Sequence, residues 1–344
     1  RVRNERTGEE FAIEAEFVVN ASGAWAGQIA SMAGCDVHVL PGKGIMIAMN
    51  HRLVNTVVNR CEMPADGDII VPIRTVSVIG TTDVRVTDPD ALEITPAEVD
   101  QMLDAGERLV PGFREQRALR VWAGARPLYQ ETADAITDTR DVTRLHTLLN
   151  HRTRDGVERF VTITGGKFTT FRLMAKDAID AVCAELGTDR PCTTDQEALP
   201  DSEEGRYYWL GSRLAEREET LHDDQLVCEC ELIPRRRLEA AIERRQTTDL
   251  DDLRRTVRLG MGPCQGGFCI YRATGILHAL KQLASDDANR SLLSFLQERW
   301  KGVQPILYGD QLRQARLDDW IFQGLLDVEH APQPDLREHQ DLPA

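Results

Sequence analysis

Four of the eight cysteines stand in two tight pairs, Cys228 and Cys230 in VCEC, then Cys264 and Cys269 in LGMGPCQGGFCI. Four thiolates gathered this way are the ligands of a [2Fe–2S] cluster or of a zinc ion. Zinc sites space their cysteines by about two to four residues, so the Cys-x-Cys arm favours the cluster and leaves zinc the lesser reading. Gly260, Gly262, Gly266 and Gly267 let backbone N–H groups approach the sulfurs, and such hydrogen bonds tune a cluster's potential. Pro263 stiffens the turn before Cys264. Disulfides are disfavoured in a chain of cytoplasmic style. Cys35, Cys61, Cys183 and Cys192 are dispersed and read as ordinary buried or partly buried thiols.

Charge around the cysteines points to electron transfer. Between Cys228 and Lys281 ten basic residues stand against seven acidic ones, a net +3 within a chain of net −15. A cluster held by four thiolates is anionic, so Arg235, Arg236, Arg254, Arg255 and Arg258 are placed to stabilise its reduced form or to dock an acidic partner. The competing reading pairs these arginines with Glu239, Glu243 or Asp251 on solvated helix faces. Lysine occurs only at positions 43, 167, 176, 281 and 301. An acid-rich, lysine-poor surface suits a protein kept soluble at high salt and argues against wholesale nucleic-acid binding. No apolar run approaches the ~20 residues needed to span a bilayer, and the start, RVRNERTGEEFAIEAE, is not a signal peptide. The expectation is a cytoplasmic protein whose sequence opens inside a larger polypeptide.

The elements that must position this chemistry can be read in outline. At 344 residues and 42% hydrophobic content the chain is long enough for two or three domains. Residues 11–20 read as a strand entering a buried sheet, and ASGAWAGQIASMAG as a turn into a helix. From Gly44 to Gly80 the runs IMIAM, LVNTVVN, DIIVPI and TVSVIG predict a sheet of their own. Thr95 caps a helix running to Leu109, with Pro96 in its first turn and Glu98 closing a capping box. Strands follow at 118–126, 142–149 and 159–164, the last running through GGK into a helix over 168–186. A polar linker covers 188–224, and beyond it the chain reads helical over 234–245, 250–259, 267–283 and 291–300. The polar tail at 331–344 reads as flexible.

These segments resemble a known combination. VCECELIPRRRLEAAI and DDLRRTVRLGMGPCQGGFC resemble the helical [2Fe–2S] module of the bacterioferritin-associated ferredoxin type. In front of it VVNASGAW, GKGIMIAMNHR, IGTTDV, GARPLY and TITGGKFTTFRLMAKDA resemble the C-terminal two-thirds of FAD-dependent glycerol-3-phosphate dehydrogenases. With FLQERWKGVQP at the end, the likeness is to the large catalytic subunits of the anaerobic, quinone-linked members, over roughly residues 15 to 325. The implied fold is α/β: part of a Rossmann-like FAD-binding domain with a β-rich substrate domain over 1–187, a linker at 188–224, a [2Fe–2S] domain at 225–283 and a helical segment at 284–330. No G-x-G-x-x-G opens the chain, so the dinucleotide fingerprint would lie in a preceding segment of about 150 residues.

The resemblance also implies roles. Gly165 and Gly166 would bring the N-terminus of the following helix against the isoalloxazine ring, where N–H groups of Thr169 and Thr170 and the helix dipole meet negative charge. Ala21, Ser22 and Gly23 would approach the cofactor at the end of the first strand. Arg126 and Arg144 would hold a dianionic phosphate, with Lys167 near the reacting hydroxyl. The implied reaction is oxidation of sn-glycerol 3-phosphate to dihydroxyacetone phosphate by hydride transfer to FAD. Electrons would leave through the cluster to partner subunits of a membrane-associated complex and a quinone. No proton acceptor is identified, although His51 matches the anaerobic pattern and Met46 stands where related flavoproteins carry a histidine. Two rivals remain: an amino-acid or opine dehydrogenase of the same flavoprotein group, needing no phosphate clamp, and a truncated, non-catalytic metal-binding chain.

Overall fold

The computed structural model describes residues 1–4, 8–61, 66–132, 139, 142–199, 210–220 and 224–328. The tail expected to be flexible, 331–344, lies outside the described residues, as does part of the 188–224 stretch. Along the chain run β1 (Val2–Arg3), β2 (Glu10–Phe11), β3 (Val18–Asn20), α1 (Ala26–Ser31), β4 (Val39–Met49), β5 (Val58–Asn59), β6 (Ile69–Ile73), β7 (Val76–Gly80) and β8 (Val84–Arg85). Next come α2 (Pro96–Leu109), β9 (Ala118–Tyr129), β10 (His146–Asn150), α3 (His151–Arg154), β11 (Phe160–Gly165) and α4 (Phe171–Leu186). The remainder holds α5 (Leu210–Thr220), β12 (Leu226–Cys228), β13 (Ile233–Pro234), α6 (Arg235–Arg245), α7 (Leu250–Val257), α8 (Cys269–Lys281), α9 (Ser285–Val303) and α10 (Asp310–Asp319). Two compact units result. One comprises Arg1–Gly44, Asp83–Leu92 and Gly124–Arg206, the other Ile45–Thr82, Glu93–Ala123 and Tyr207–Ala344.

In the first unit β11 is the centre of a three-stranded sheet ordered β10-β11-β3. Every residue of β11 is buried, as its apolar FVTI run predicts for a covered strand. It pairs antiparallel with β10 and parallel with β3, and α1 and α4 pack on the sheet. Ala30, Val37, Leu149 and Phe160 form the core there. The expected continuous strand over 11–20 is corrected: only Glu10–Phe11 and Val18–Asn20 are strand, and Ile13 between them is 65% exposed. Among the described residues β3 pairs on one side only, so Val18 and Val19 stay exposed and only Asn20 is buried.

In the second unit the β-rich reading of 44–80 holds. Antiparallel pairs β5/β6, β6/β7 and β7/β4 build a sheet in which Ile47 faces Ile79 and Ile79 faces Ile70. Strand alternation therefore sets Ile45, Ile47, Met49, Ile70 and Ile79 on one face, where Val99, Met102 and Leu103 of α2 cover them. Helix α2 begins as the sequence predicts: Thr95 Oγ1 accepts from the Glu98 N–H at 3.3 Å, and Glu98 Oε2 accepts from the Thr95 N–H at 3.0 Å. The helical part of this unit closes around Leu238, Ile242, Leu253, Ile270, Leu277 and Phe295. The helix expected over 291–300 runs from Ser285 to Val303. Helix α10 falls within the helical segment expected over 284–330, whereas α5 forms in the stretch read as a linker and the β12/β13 hairpin was not expected.

Candidate functional site

Strand register gathers the glycine turns and two of the cations at one sheet edge. Gly165 faces His146 across the antiparallel pair and Thr162 faces Asn20 across the parallel one. The carboxyl ends of β3 and β11 and the start of β10 thus lie together. Ala21–Gly23 follow β3, Gly165–Lys167 close β11, and Arg144 leads into β10. Ligands in open α/β sheets bind outside the carboxyl ends of parallel strands. Glycine is required here: Gly165 and Gly166 have φ of +74° and +73°, and an added Cβ would lie 2.6 Å from the Leu145 carbonyl oxygen and 2.6 Å from Met174 Sδ respectively.

The helix expected from Phe168 begins later. Phe168–Thr170 form one 3₁₀ turn, and α4 starts at Phe171. The Thr170 N–H donates to the Lys167 carbonyl at 2.9 Å, so this N–H is not open to a ligand as expected. Lys167 and Thr169 are exposed, and the Phe168 ring is 91% exposed.

The Ala21–Gly23 turn is held by a buried relay that the sequence did not reveal. Asp155 Oδ2 lies 2.5 Å from Nδ1 of fully buried His151, whose Nε2 lies 2.7 Å from Thr162 Oγ1. Asn20 Nδ2 donates to Thr162 Oγ1 at 3.2 Å and to the Ala26 carbonyl at 2.9 Å. Its Oδ1 accepts from the Ser22 hydroxyl at 2.6 Å. His151 also stacks on Phe160, with ring centroids 4.5 Å apart. Cys35 Sγ joins His151 and Asp155 within 4.8 Å. Both ring nitrogens of His151 already have partners, so this cluster fixes α3 and the turn to the sheet. Cys61, read as a buried or partly buried thiol, is exposed.

Arg126 and Arg144 are brought together by Asp83. Arg126 Nη1 donates to Asp83 Oδ1 at 3.3 Å and Arg144 Nη2 to Asp83 Oδ2 at 3.0 Å. Thr139 Oγ1 adds a third bond to Oδ1 at 3.1 Å. The Asp83 side chain is 8% exposed, while both arginines keep about a third or less of theirs in solvent. One carboxylate thus sets two guanidinium groups side by side, an arrangement that can meet an anion. Asp83 lies in the IGTTDV segment but carried no local signal of this role. His51 belongs to the other unit, where it has φ +79° and its Nε2 lies 2.9 Å from Asn50 Nδ2.

The four sequence-predicted cysteines meet in the helical part. Cys228 closes β12, Cys269 opens α8, and both are buried; Cys230 and Cys264 are half-buried. Side chain interacts with side chain from Cys230 to Cys264, from Cys264 to Cys269 and from Cys269 to Cys228. The thiols of Cys230 and Cys269, then the N–H groups of Gly266 and Phe268, pull Cys264 down to about 2. Cys269, then the N–H groups of Glu231 and Gly260, lower Cys228. Cys230 and Cys269 are pushed up, first by these same neighbours and then by burial. Four thiolates at this spot thus require cationic compensation, which iron supplies. The donor set fits a two-iron cluster better than one ion. A tetrahedral zinc would bring all four sulfurs within roughly 4 Å of one another. Among the described residues, the trio of ligand atoms mutually within 4.8 Å is Cys35, His151 and Asp155, not these four.

The glycines of the Cys264 loop are packed too closely to carry a side chain. An added Cβ on Gly260 or Gly266 would lie 2.9 Å from the Phe295 ring, and one on Gly267 2.6 Å from Asp318 Oδ1. The arginines picked from the sequence are ion-paired: Arg235 with Glu239, Arg236 with Asp224, Arg254 with Asp251, Arg255 with Asp252 and Arg258 with Glu231. Fully buried Glu231, next to Cys230, also takes Thr75 Oγ1 at 3.2 Å and lies 3.6 Å from Arg74 Nη1. The cations against the Cys264 loop are others. Arg117 Nη2 donates to the Pro263 carbonyl at 2.9 Å, and Arg299 Nε to the Gln265 carbonyl at 2.6 Å. Neither stood out in the sequence, because each is remote along the chain from the loop it holds.

Residues 1–181 match the family model of FAD dependent oxidoreductases, and residues 226–279 that of the BFD-like [2Fe-2S] binding domain. The chain is 43% identical over 351 residues to a subunit of the anaerobic glycerol-3-phosphate dehydrogenase of Escherichia coli (strain K12), covering 96% of this chain and 64% of that one. It is 39% identical over 344 residues to a subunit of the anaerobic glycerol-3-phosphate dehydrogenase of Haloferax volcanii, covering 94% and 58%. The crystal structure of a glycerol-3-phosphate dehydrogenase from Bacillus halodurans complexed with FAD aligns over 95% of this chain and 65% of that one, with 20% identity and a TM-score of 0.45. The chain therefore spans less than two thirds of the length of these relatives.

Proposed function

This chain belongs to the FAD dependent oxidoreductase family, and from that premise we propose that it is the greater part of an enzyme oxidising sn-glycerol 3-phosphate to dihydroxyacetone phosphate. The observation that carries the reading is the joint presence of two features: a sheet edge bearing glycine turns and a two-arginine anion site, and four converging cysteines. FAD, when bound, supplies a two-electron acceptor, and a [2Fe–2S] cluster a one-electron relay.

The chain's own residues have the following parts. Arg126 and Arg144, spaced by Asp83, bind the phosphate through guanidinium forks. Lys167 stands exposed at the end of the Gly165-Gly166 turn as a point charge for the substrate hydroxyl. Ala21, Ser22 and Gly23 and the Gly165–Thr170 turn approach the flavin with backbone, and Thr169 keeps its place among the donors. Cys228, Cys230, Cys264 and Cys269 hold the iron. Each of these two curated relatives is named as one subunit of its dehydrogenase, which supports partner subunits as the next electron carriers. The described residues contain no helix long and apolar enough to cross a membrane. Partner subunits then provide the membrane association and the route to a quinone, from the cytoplasmic face. The acid-rich, lysine-poor composition supports a salt-rich habitat.

The test is anaerobic mixing of the flavin-loaded full-length protein with sn-glycerol 3-phosphate or with amino acids. The sugar phosphate should bleach the flavin, and Arg126→Ala or Arg144→Ala should raise its KM more than tenfold. Bleaching by amino acids alone, or arginine variants with unchanged KM, would overturn the phosphate assignment.

A further inference from the structure

Most buried or half-buried arginines around the cysteines have a carboxylate. Arg254 lies 2.8 Å from Asp251, Arg299 2.5 Å from Asp318, and Arg258 3.2 Å from Glu231. Arg117 differs. Its guanidinium donates to three neutral oxygens: Gln314 Oε1 at 2.9 Å, the Pro263 carbonyl at 2.9 Å and Asn50 Oδ1 at 3.4 Å. Among the described residues no carboxylate lies within ion-pair reach of it. A half-buried cation held only by neutral acceptors is costly unless an anion stands nearby. Beyond ion-pair range Asp318 and Asp310 act on Arg117, and so does Cys264, the residue that follows the Pro263 carbonyl it holds.

The loop is gripped on both sides of Cys264, since Arg299 holds the Gln265 carbonyl as Arg117 holds that of Pro263. The two grips are electrically unequal. Asp318 pairs with Arg299, and among the described residues no carboxylate pairs with Arg117. We propose that Arg117 is a positioning residue and counter-charge for the iron–sulfur centre, raising its reduction potential. This rests on the reading of the four cysteines as cluster ligands. Each electron added there deepens the negative charge, so an unpaired cation stabilises the reduced form more than the oxidised one. Arg117 immediately precedes β9 in the segment matched to FAD dependent oxidoreductases, whereas Pro263 lies in the [2Fe-2S]-matched segment. One side chain thus joins the two matched segments within the second compact unit and sets the energy of the cluster.

The test is a potentiometric titration of the iron-loaded full-length protein, followed by electron paramagnetic resonance of the reduced cluster. Arg117 lines an open cleft with Asn50, His51 and Gln314, so a substitution there leaves no closed cavity. Arg117→Gln removes the charge; Asn50→Asp keeps the arginine and sets a carboxylate against it. Both should lower the reduced-to-oxidised ratio at fixed potential about tenfold, a shift of about 59 mV to more negative values for a one-electron couple. Arg117→Lys should stay near the wild type. Should Arg117→Gln fail to hold iron, Asn50→Asp carries the test alone. Unchanged potentials with the cluster intact, even alongside a lowered melting temperature, would reduce Arg117 to a tether and overturn the inference while sparing the cluster. A wild-type protein with no iron–sulfur signal would overturn both.

Discussion

Gly262 and Cys230 stand so close that a Cβ added to the glycine would lie 2.4 Å from the Cys230 Cβ. The backbone there is not in the left-handed region, so the requirement for glycine is one of space. It couples the two cysteine arms, since Gly262 lies two residues before Cys264.

Gly262→Ala is therefore expected to push Cys230 out of place and to lower the iron content of the purified protein several-fold. Gly275→Ala on α8, where an added Cβ meets nothing within 4 Å, is the control. It should retain iron and gain about 0.5–1 kcal/mol of stability from helix propensity. Equal iron in both variants would contradict the close fit.

Asp318 gives a pH signature of unusual sign. Burial pushes its carboxyl up to about 6, against the opposing influence of Arg299 and the Gln314 amide. In the unfolded chain the same group titrates near ~3.9, so the folded state binds the proton more tightly. Its contribution to stability is fully present below pH ~4 and is lost as pH rises through ~6, by at most about 3 kcal/mol. Melting curves of wild type and Asp318→Asn should accordingly differ in slope: between those limits wild type loses stability relative to the variant as pH rises. Parallel curves would show that the group does not titrate in this window.

How much was legible in the sequence depended on range. The cysteine pairs and the Thr95–Glu98 capping box are local signals, and the structure realises both because each lies within a few residues of chain. The Gly165-Gly166 turn was legible for the same reason. Longer connections were not. The Asp83–Arg144 pair spans 61 positions and the Arg117–Pro263 bond 146, and nothing in either neighbourhood marks the partner. The arginines chosen by proximity to the cysteines in sequence were misleading as counter-charges, because helix spacing gave Arg235, Arg254 and Arg255 carboxylates three or four residues away. The strand expected over 11–20 failed for a tertiary reason. Its apolar residues promised a covered position, and among the described residues β3 pairs on one side only.

The central claim is that Cys228, Cys230, Cys264 and Cys269 hold a two-iron cluster, and metal analysis with acid-labile sulfide determination on the anaerobically purified full-length protein tests it most directly. The expected result is about two iron and about two sulfide per chain, lost on Cys264→Ser, with the visible absorption of a [2Fe–2S] centre. One zinc per chain without sulfide, or free thiols with no metal under the same conditions, would contradict it.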